Sequence, residues 1–120
     1  MAAMDDLPLP HLPANVPAGI RSMIAIVSAQ PGKEDEFRSR IVELAREVRK
    51  EPGCLSFVPY ESLEVEGEFY LVEVYASSEA FEEHLQTDHV ARYMASRPSL
   101  SGQELSKLVQ LVEVPVPEGK

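Results

Sequence analysis

Residues 68–76, Glu-Phe-Tyr-Leu-Val-Glu-Val-Tyr-Ala, limit what this chain can fold into more than any other segment. The run is rich in aromatic and β-branched residues, which makes it a strand. Alternate residues of a strand face opposite ways. Phe69, Leu71, Glu73 and Tyr75 therefore share one face, and Tyr70, Val72, Val74 and Ala76 share the other. Both faces are mostly apolar. An antiparallel sheet with helices on one side ordinarily shows polar residues to water on the other. Here the second face needs cover as well, and a second copy of the chain is the simplest cover.

The remaining segments supply the partners for that strand. Met23-Ile24-Ala25-Ile26-Val27 is an uncharged apolar run inside a first strand over 21–29. Pro31-Gly32 turns the chain into a helix over 33–51, with Phe37, Ile41, Leu44, Ala45 and Val48 on one face. Glu34, Asp35 and Glu36 open it, and Arg46, Arg49 and Lys50 lie near its end, both in accord with the helix dipole. Pro52-Gly53 ends it. A second strand covers 54–63, and Glu66-Gly67 turns it into the strand described above. Ser77 or Ser78 caps a second helix with Ala80, Phe81, His84 and Leu85 on one side. Thr87-Asp88 opens a short helix with Val90, Tyr93 and Met94 inward, which Pro98 is expected to stop. A last strand is expected over 104–114. The order is the split βαβ plan, an α+β ferredoxin-like fold with both helical segments on one face of an antiparallel sheet. The reading divides the chain into a proline-rich N-terminal arm (1–20), one domain (21–115) and a C-terminal tail (116–120).

Composition excludes several function classes. Twenty acidic residues against eleven basic ones give a net charge of −9. Such a surface repels phosphate backbones and anionic lipid, so neither nucleic acid nor a membrane is expected as a partner. No stretch approaches the ~20 apolar residues of a membrane span. Cys54 is the sole cysteine, so no intrachain disulfide can form. Met1 to Asp6 lack the basic start and apolar run of a secretory signal, and a cytoplasmic location is expected.

Three segments carry a family resemblance: Gln30-Pro31-Gly32-Lys33-Glu34-Asp35-Glu36-Phe37, Glu51-Pro52-Gly53-Cys54-Leu55, and the long stretch from Phe69 to His89. Together they make the chain resemble the antibiotic biosynthesis monooxygenase family over roughly residues 21–114. The resemblance implies a dimeric α+β barrel, joined sheet to sheet, with a pocket between sheet and helices. It implies several chemistries. Similar proteins include oxygenases that act on polycyclic phenols or quinols without metal or flavin, haem-degrading enzymes, and isomerases of a phosphorylated signalling sugar. The haem-degrading relatives use an asparagine in strand one, a tryptophan after strand three and a histidine on the last helix. Here residues 23–29 hold no asparagine, Tyr75 takes the tryptophan position, and Met94 stands about where the histidine would be. Haem degradation is therefore not expected.

Oxidation of a phenol or quinol needs a group to remove a proton, a donor to hold the anion, and exclusion of water. Three residues on apolar faces suit those tasks as catalytic candidates. His84 shares a helix face with Phe81 and Leu85; it is either a proton acceptor or a helix-boundary histidine bonded to backbone. Glu73, between Leu71 and Tyr75, is either a buried base of raised pKa or half of an ion pair. Tyr75 is either a pocket donor or a core aromatic with its hydroxyl at the surface. Phe57, Tyr60, Phe81, His89 and Tyr93 are candidate substrate-binding walls. His84 and His89 lie on different faces of a continuous helix and make a poor metal pair unless the helix breaks between them, so no metal and no other cofactor is expected. The resulting expectation is a cofactor-independent monooxygenase that oxidises a small aromatic phenol or quinol with molecular oxygen. The alternatives are an isomerase of a small phosphorylated sugar-like metabolite, with Arg92 and Arg97 as phosphate contacts, and a non-catalytic binding protein of the same fold.

Overall fold

Phe37, Ile41, Leu44, Ala45 and Val48 recur at helical spacing, and all five lie in the core of the computed structural model, which describes residues 19–101 and 107–117. They belong to helix α1, Glu34–Val48, which follows strand β1, Arg21–Ser28. Strands β2, Cys54–Glu61, and β3, Glu68–Tyr75, come next. Helices α2, Ser78–Leu85, and α3, Asp88–Leu100, then lead to strand β4, Lys107–Leu111. The four strands form one antiparallel sheet in the order β2-β3-β1-β4. β3 slots between β1 and β2, which is the ferredoxin-like arrangement expected from the element order.

The alternation in β3 decides which face the helices cover. Phe69, Leu71, Glu73 and Tyr75 are buried, and Tyr70, Val72 and Val74 are only half-buried. The buried set packs with Met23 and Val27 of β1, Phe57 of β2 and the inner faces of the helices. Ser77 caps α2 by accepting from the Ala80 amide at 3.0 Å, and Thr87 caps α3 by accepting from the Val90 amide at 3.3 Å. At Gly67 the hairpin turn adopts φ +79°, a left-handed conformation that favours glycine.

Two expectations need correction. Pro98 does not stop the last helix: α3 runs through it to Leu100. The final turn is held by tertiary bonds that the proline cannot disturb. The Gln30 side-chain amide donates to the carbonyls of Pro98 and Ser101, both at 2.9 Å, and the Gln30 backbone amide donates to Leu100 at 2.8 Å. The last strand is shorter than expected, with 112–114 outside it; residues 104–106, and residues 1–18 of the N-terminal arm expected over 1–20, lie outside the described residues. No helix among the described residues is long and apolar enough to cross a membrane.

Gly53, just before β2, lies against Ala80 of α2. A Cβ built there would clash with the Ala80 Cβ. Gly53→Ala must push α2 outward, at a cost of about 1–3 kcal/mol. A thermal melt with an unchanged midpoint would show that α2 has room to yield.

Candidate active site

Glu73 sits opposite Met23 of β1 and Phe57 of β2, in the middle of the helix-covered face. It is 6% exposed. A carboxylate is costly in such surroundings, so burial raises its pKa to about 7 despite the hydroxyl that donates to it. That hydroxyl belongs to Tyr75, 2.7 Å from Glu73 Oε1. Tyr75 is fully buried, and burial, then the neighbouring carboxylate, moves its phenol above the usual range. Its hydroxyl is thus an interior donor and does not reach the surface.

His84 comes from the last turn of α2. Its ring lies 4.9 Å from the Tyr75 ring, and its Nε2 is 4.0 Å from Glu73 Oε1. The other ring nitrogen, Nδ1, is 2.9 Å from Oε2 of Glu51. Burial lowers the His84 pKa, against the opposing pull of Glu51. The ring is bonded to carboxylate and not to backbone. The three catalytic candidates His84, Glu73 and Tyr75 therefore stand together beneath α2.

Glu51 was not singled out by the sequence, although it stands in one of the family-like segments. A carboxylate just beyond a helix C-terminus opposes the helix dipole, and that was the available signal. The turn after α1 fixes it: its amide donates to Val48 at 2.9 Å, and its carbonyl accepts from Cys54 at 3.1 Å. His89 reaches it from the first turn of α3, with Nε2 2.5 Å from Glu51 Oε2. This contact exists because the helix does break: α2 ends at Leu85 and α3 begins at Asp88. Glu51, His84 and His89 offer three ligand atoms, all within 4.8 Å of one another.

The remaining candidates separate. Phe57 lies beside Glu73 on the same face, and Phe81 packs 5.3 Å from the Tyr75 ring under the guanidinium of Arg21. Tyr60 pairs with Tyr70, which puts it on the opposite face of the sheet, 58% exposed. His89 and Tyr93 line a cavity of about 210 Å³ between α1 and α3, with Arg40, Glu43, Glu47 and Arg92. Burial pushes the Tyr93 phenol up to about 12, and its hydroxyl has no partner among the described residues. Arg97 is not among the residues lining that cavity.

The sequence profile described as antibiotic biosynthesis monooxygenase matches residues 21–96, more than half of the chain. The chain belongs to the antibiotic biosynthesis monooxygenase family. Solved structures agree on the fold. Rv0793 of Mycobacterium tuberculosis superposes with a TM-score of 0.71 at 28% identity, over 84% of this chain and 99% of its own. A candidate antibiotic biosynthesis monooxygenase of Caulobacter crescentus gives 0.70 at 29% identity, over 82% and 92%. PA3566 of Pseudomonas aeruginosa gives 0.75 at 24% identity, over 85% and 100%. The uncharacterized protein sll1783 of Synechocystis sp. is 27% identical over 96 residues, which cover 78% of this chain and 65% of that protein's length. In this member of the family, Glu73 and Tyr75 near the end of β3, His84 of α2 and Glu51 just before β2 stand together under the helices.

Proposed function

We propose that this family member is a monooxygenase that oxidises a small aromatic phenol or quinol with molecular oxygen. The observation that carries the reading is the convergence of Glu73, Tyr75 and His84 on one apolar, helix-covered patch. The chemistry balances without a separate reductant: quinol plus O₂ gives hydroxyquinone plus water. The substrate supplies all four electrons; one oxygen atom enters the ring and the other leaves as water. Glu73, with a pKa near neutrality, suits removal of the phenolic proton. Once Glu73 has taken the proton, the Tyr75 hydroxyl turns from it to donate to the oxyanion so formed, and His84 presents its Nε2 on the same side. Phe57 and Phe81, both buried beside these groups, keep water from this part of the interior. A reducing, cytoplasmic setting suits both a quinol and the free Cys54.

The reading includes a homodimer joined through the sheet. Ile24, Ile26, Val58, Tyr70, Val72, Val74 and Val109 share the face away from the helices, by the strand registers, and the chain's own helices leave it open. The isomerase alternative would draw on the cavity between α1 and α3, where Arg92 is joined by Arg40 and Arg46. Glu43 and Glu47 on the same walls weaken its attraction for a phosphate dianion, so the oxygenase reading is preferred.

Oxygen uptake with a panel of hydroquinones and naphthoquinols tests the reading. The wild type should consume one O₂ per quinol, and Glu73→Gln and His84→Ala should lose about 10²- to 10⁴-fold in rate, the range for a lost acid–base group. Uptake no faster than autoxidation for every quinol would leave a binding protein. Full activity in both variants would overturn the assigned roles.

A further inference from the structure

We propose that Glu51, His84 and His89 form a binding site for one divalent first-row transition-metal ion. The proposal goes beyond the oxygenase reading and does not depend on it.

The donors fit such an ion in kind and in number. Two imidazole nitrogens and one carboxylate oxygen suit zinc, iron(II), cobalt or nickel; calcium and magnesium prefer oxygen donors throughout. Three protein ligands leave a position open for water or another ligand, as in reactive metal centres. The three donors are gathered closely enough to share one ion. Donors bound to one such ion at about 2.1 Å stand roughly 3.0–3.5 Å apart. Here Glu51 Oε2 is 2.9 Å from His84 Nδ1 and 2.5 Å from His89 Nε2, and all three donor atoms fall within 4.8 Å, so an ion entering between them makes the Glu51 carboxylate draw back from both rings.

The donors are also held in place by backbone. Glu51 is fixed in the turn after α1 by its bonds to Val48 and Cys54. His84 and His89 are fixed across the break between α2 and α3, where the Thr87 hydroxyl donates to the His84 carbonyl at 2.8 Å and its oxygen caps α3. Side-chain exposures of 12%, 7% and 16% for Glu51, His84 and His89 place the cluster mostly inside the protein, opening on the His89 side. That side is the cavity between α1 and α3, whose walls carry Glu43 and Glu47 beside Arg40, Arg46 and Arg92, so an ion has a way in through a mouth of mixed charge. The second nitrogen of His84 faces Glu73 at 4.0 Å, and Tyr75 holds that carboxylate. A carboxylate behind a ligating histidine is the usual outer support of such sites. An ion on His84 Nδ1 leaves Nε2 facing Glu73, so the site described above keeps its geometry.

The test needs no substrate. The untagged full chain is stripped with a chelator and titrated with Co²⁺, followed by calorimetry and by the visible absorption of bound cobalt. The expected result is one ion per chain, with tetrahedral or five-coordinate cobalt bands. His89→Ala, at the most exposed of the three ligands, should stay folded and bind at least about 100-fold more weakly, beyond the loss typical of a supporting residue. Glu51→Gln should weaken binding similarly. No saturable one-to-one binding, or unchanged affinity in both folded variants, would overturn the proposal and leave two histidines hydrogen-bonded to one carboxylate. A chain that binds Co²⁺ but consumes no oxygen with any quinol keeps this proposal and sinks the oxygenase reading.

Discussion

Val72→Lys is expected to turn the proposed sheet-to-sheet dimer into a monomer. Val72 lies at the centre of the open sheet face: it pairs with Ile24 of β1 on one side and Val58 of β2 on the other. Tyr70 and Val74 flank it along β3, and Val109 of β4 lies beyond Ile24. An interface of ordinary size covers about 800 Å² on each partner, with an apolar centre that carries most of the binding energy. A lysine at that centre must either bury its ammonium or prop the two sheets apart. The penalty for an unpaired buried charge is several kcal/mol, and about 4 kcal/mol corresponds to a thousandfold weaker dimer.

The same substitution leaves the core of each subunit alone, because Val72 points away from α1 and α2. Far-ultraviolet circular dichroism should therefore be unchanged while sedimentation shows half the mass. Leu63→Lys is the control. Leu63 sits fully exposed in the hairpin after β2, and its replacement should leave the mass as it was. A wild type already monomeric at micromolar concentration, or a Val72→Lys variant that stays dimeric, would remove the sheet-to-sheet interface.

The legible parts of this structure are those where one periodicity governs. In α1 the five residues at helical spacing are the five that are buried, and in β3 the alternation places Glu73 and Tyr75 inward. Local capping chemistry was equally readable, since Ser77 and Thr87 each bond the amide three residues on. The misreadings lie where distant chain segments decide. Pro98 looks like a stop by local rules, and only the bonds from Gln30, far away in sequence, show why the helix continues. Glu51 looks like the spent end of a helix until α2 and α3 fold over it. Tyr60 is an aromatic in a strand like Phe57, but register puts it on the other face. His84 and His89 could be judged together only after the break between their helices was known.

Glu73→Gln should make the metal-free protein more stable at and above neutral pH, by a margin that grows as pH rises. The folded-state pKa of Glu73 is raised to about 7 from the ordinary 4.5, chiefly by burial. Below about pH 4 the carboxyl is protonated in both folded and unfolded chains, and it contributes no pH-dependent term. Between the two pKa values the unfolded chain has released a proton that the folded chain still holds, so stability falls as pH rises. Above pH 7 the folded chain must carry a buried charge, and the penalty is complete. At 1.36 kcal/mol per pKa unit the full difference is about 3 kcal/mol. Glutamine keeps the shape and an oxygen to accept from Tyr75, and it cannot ionise. One amide hydrogen left without a partner offsets about 1 kcal/mol of the gain. The nearby groups Tyr75, His84 and Glu51 are common to both proteins, so the difference between their denaturation curves isolates the Glu73 contribution. The variant should therefore be about 1 kcal/mol the less stable protein at pH 4 and about 2 kcal/mol the more stable one at pH 8, while the proposed oxygen uptake is lost. A variant less stable than wild type at pH 8 would mean that the ionised carboxylate has a partner worth more than its desolvation, and Glu73 could not then be the resting base of the site.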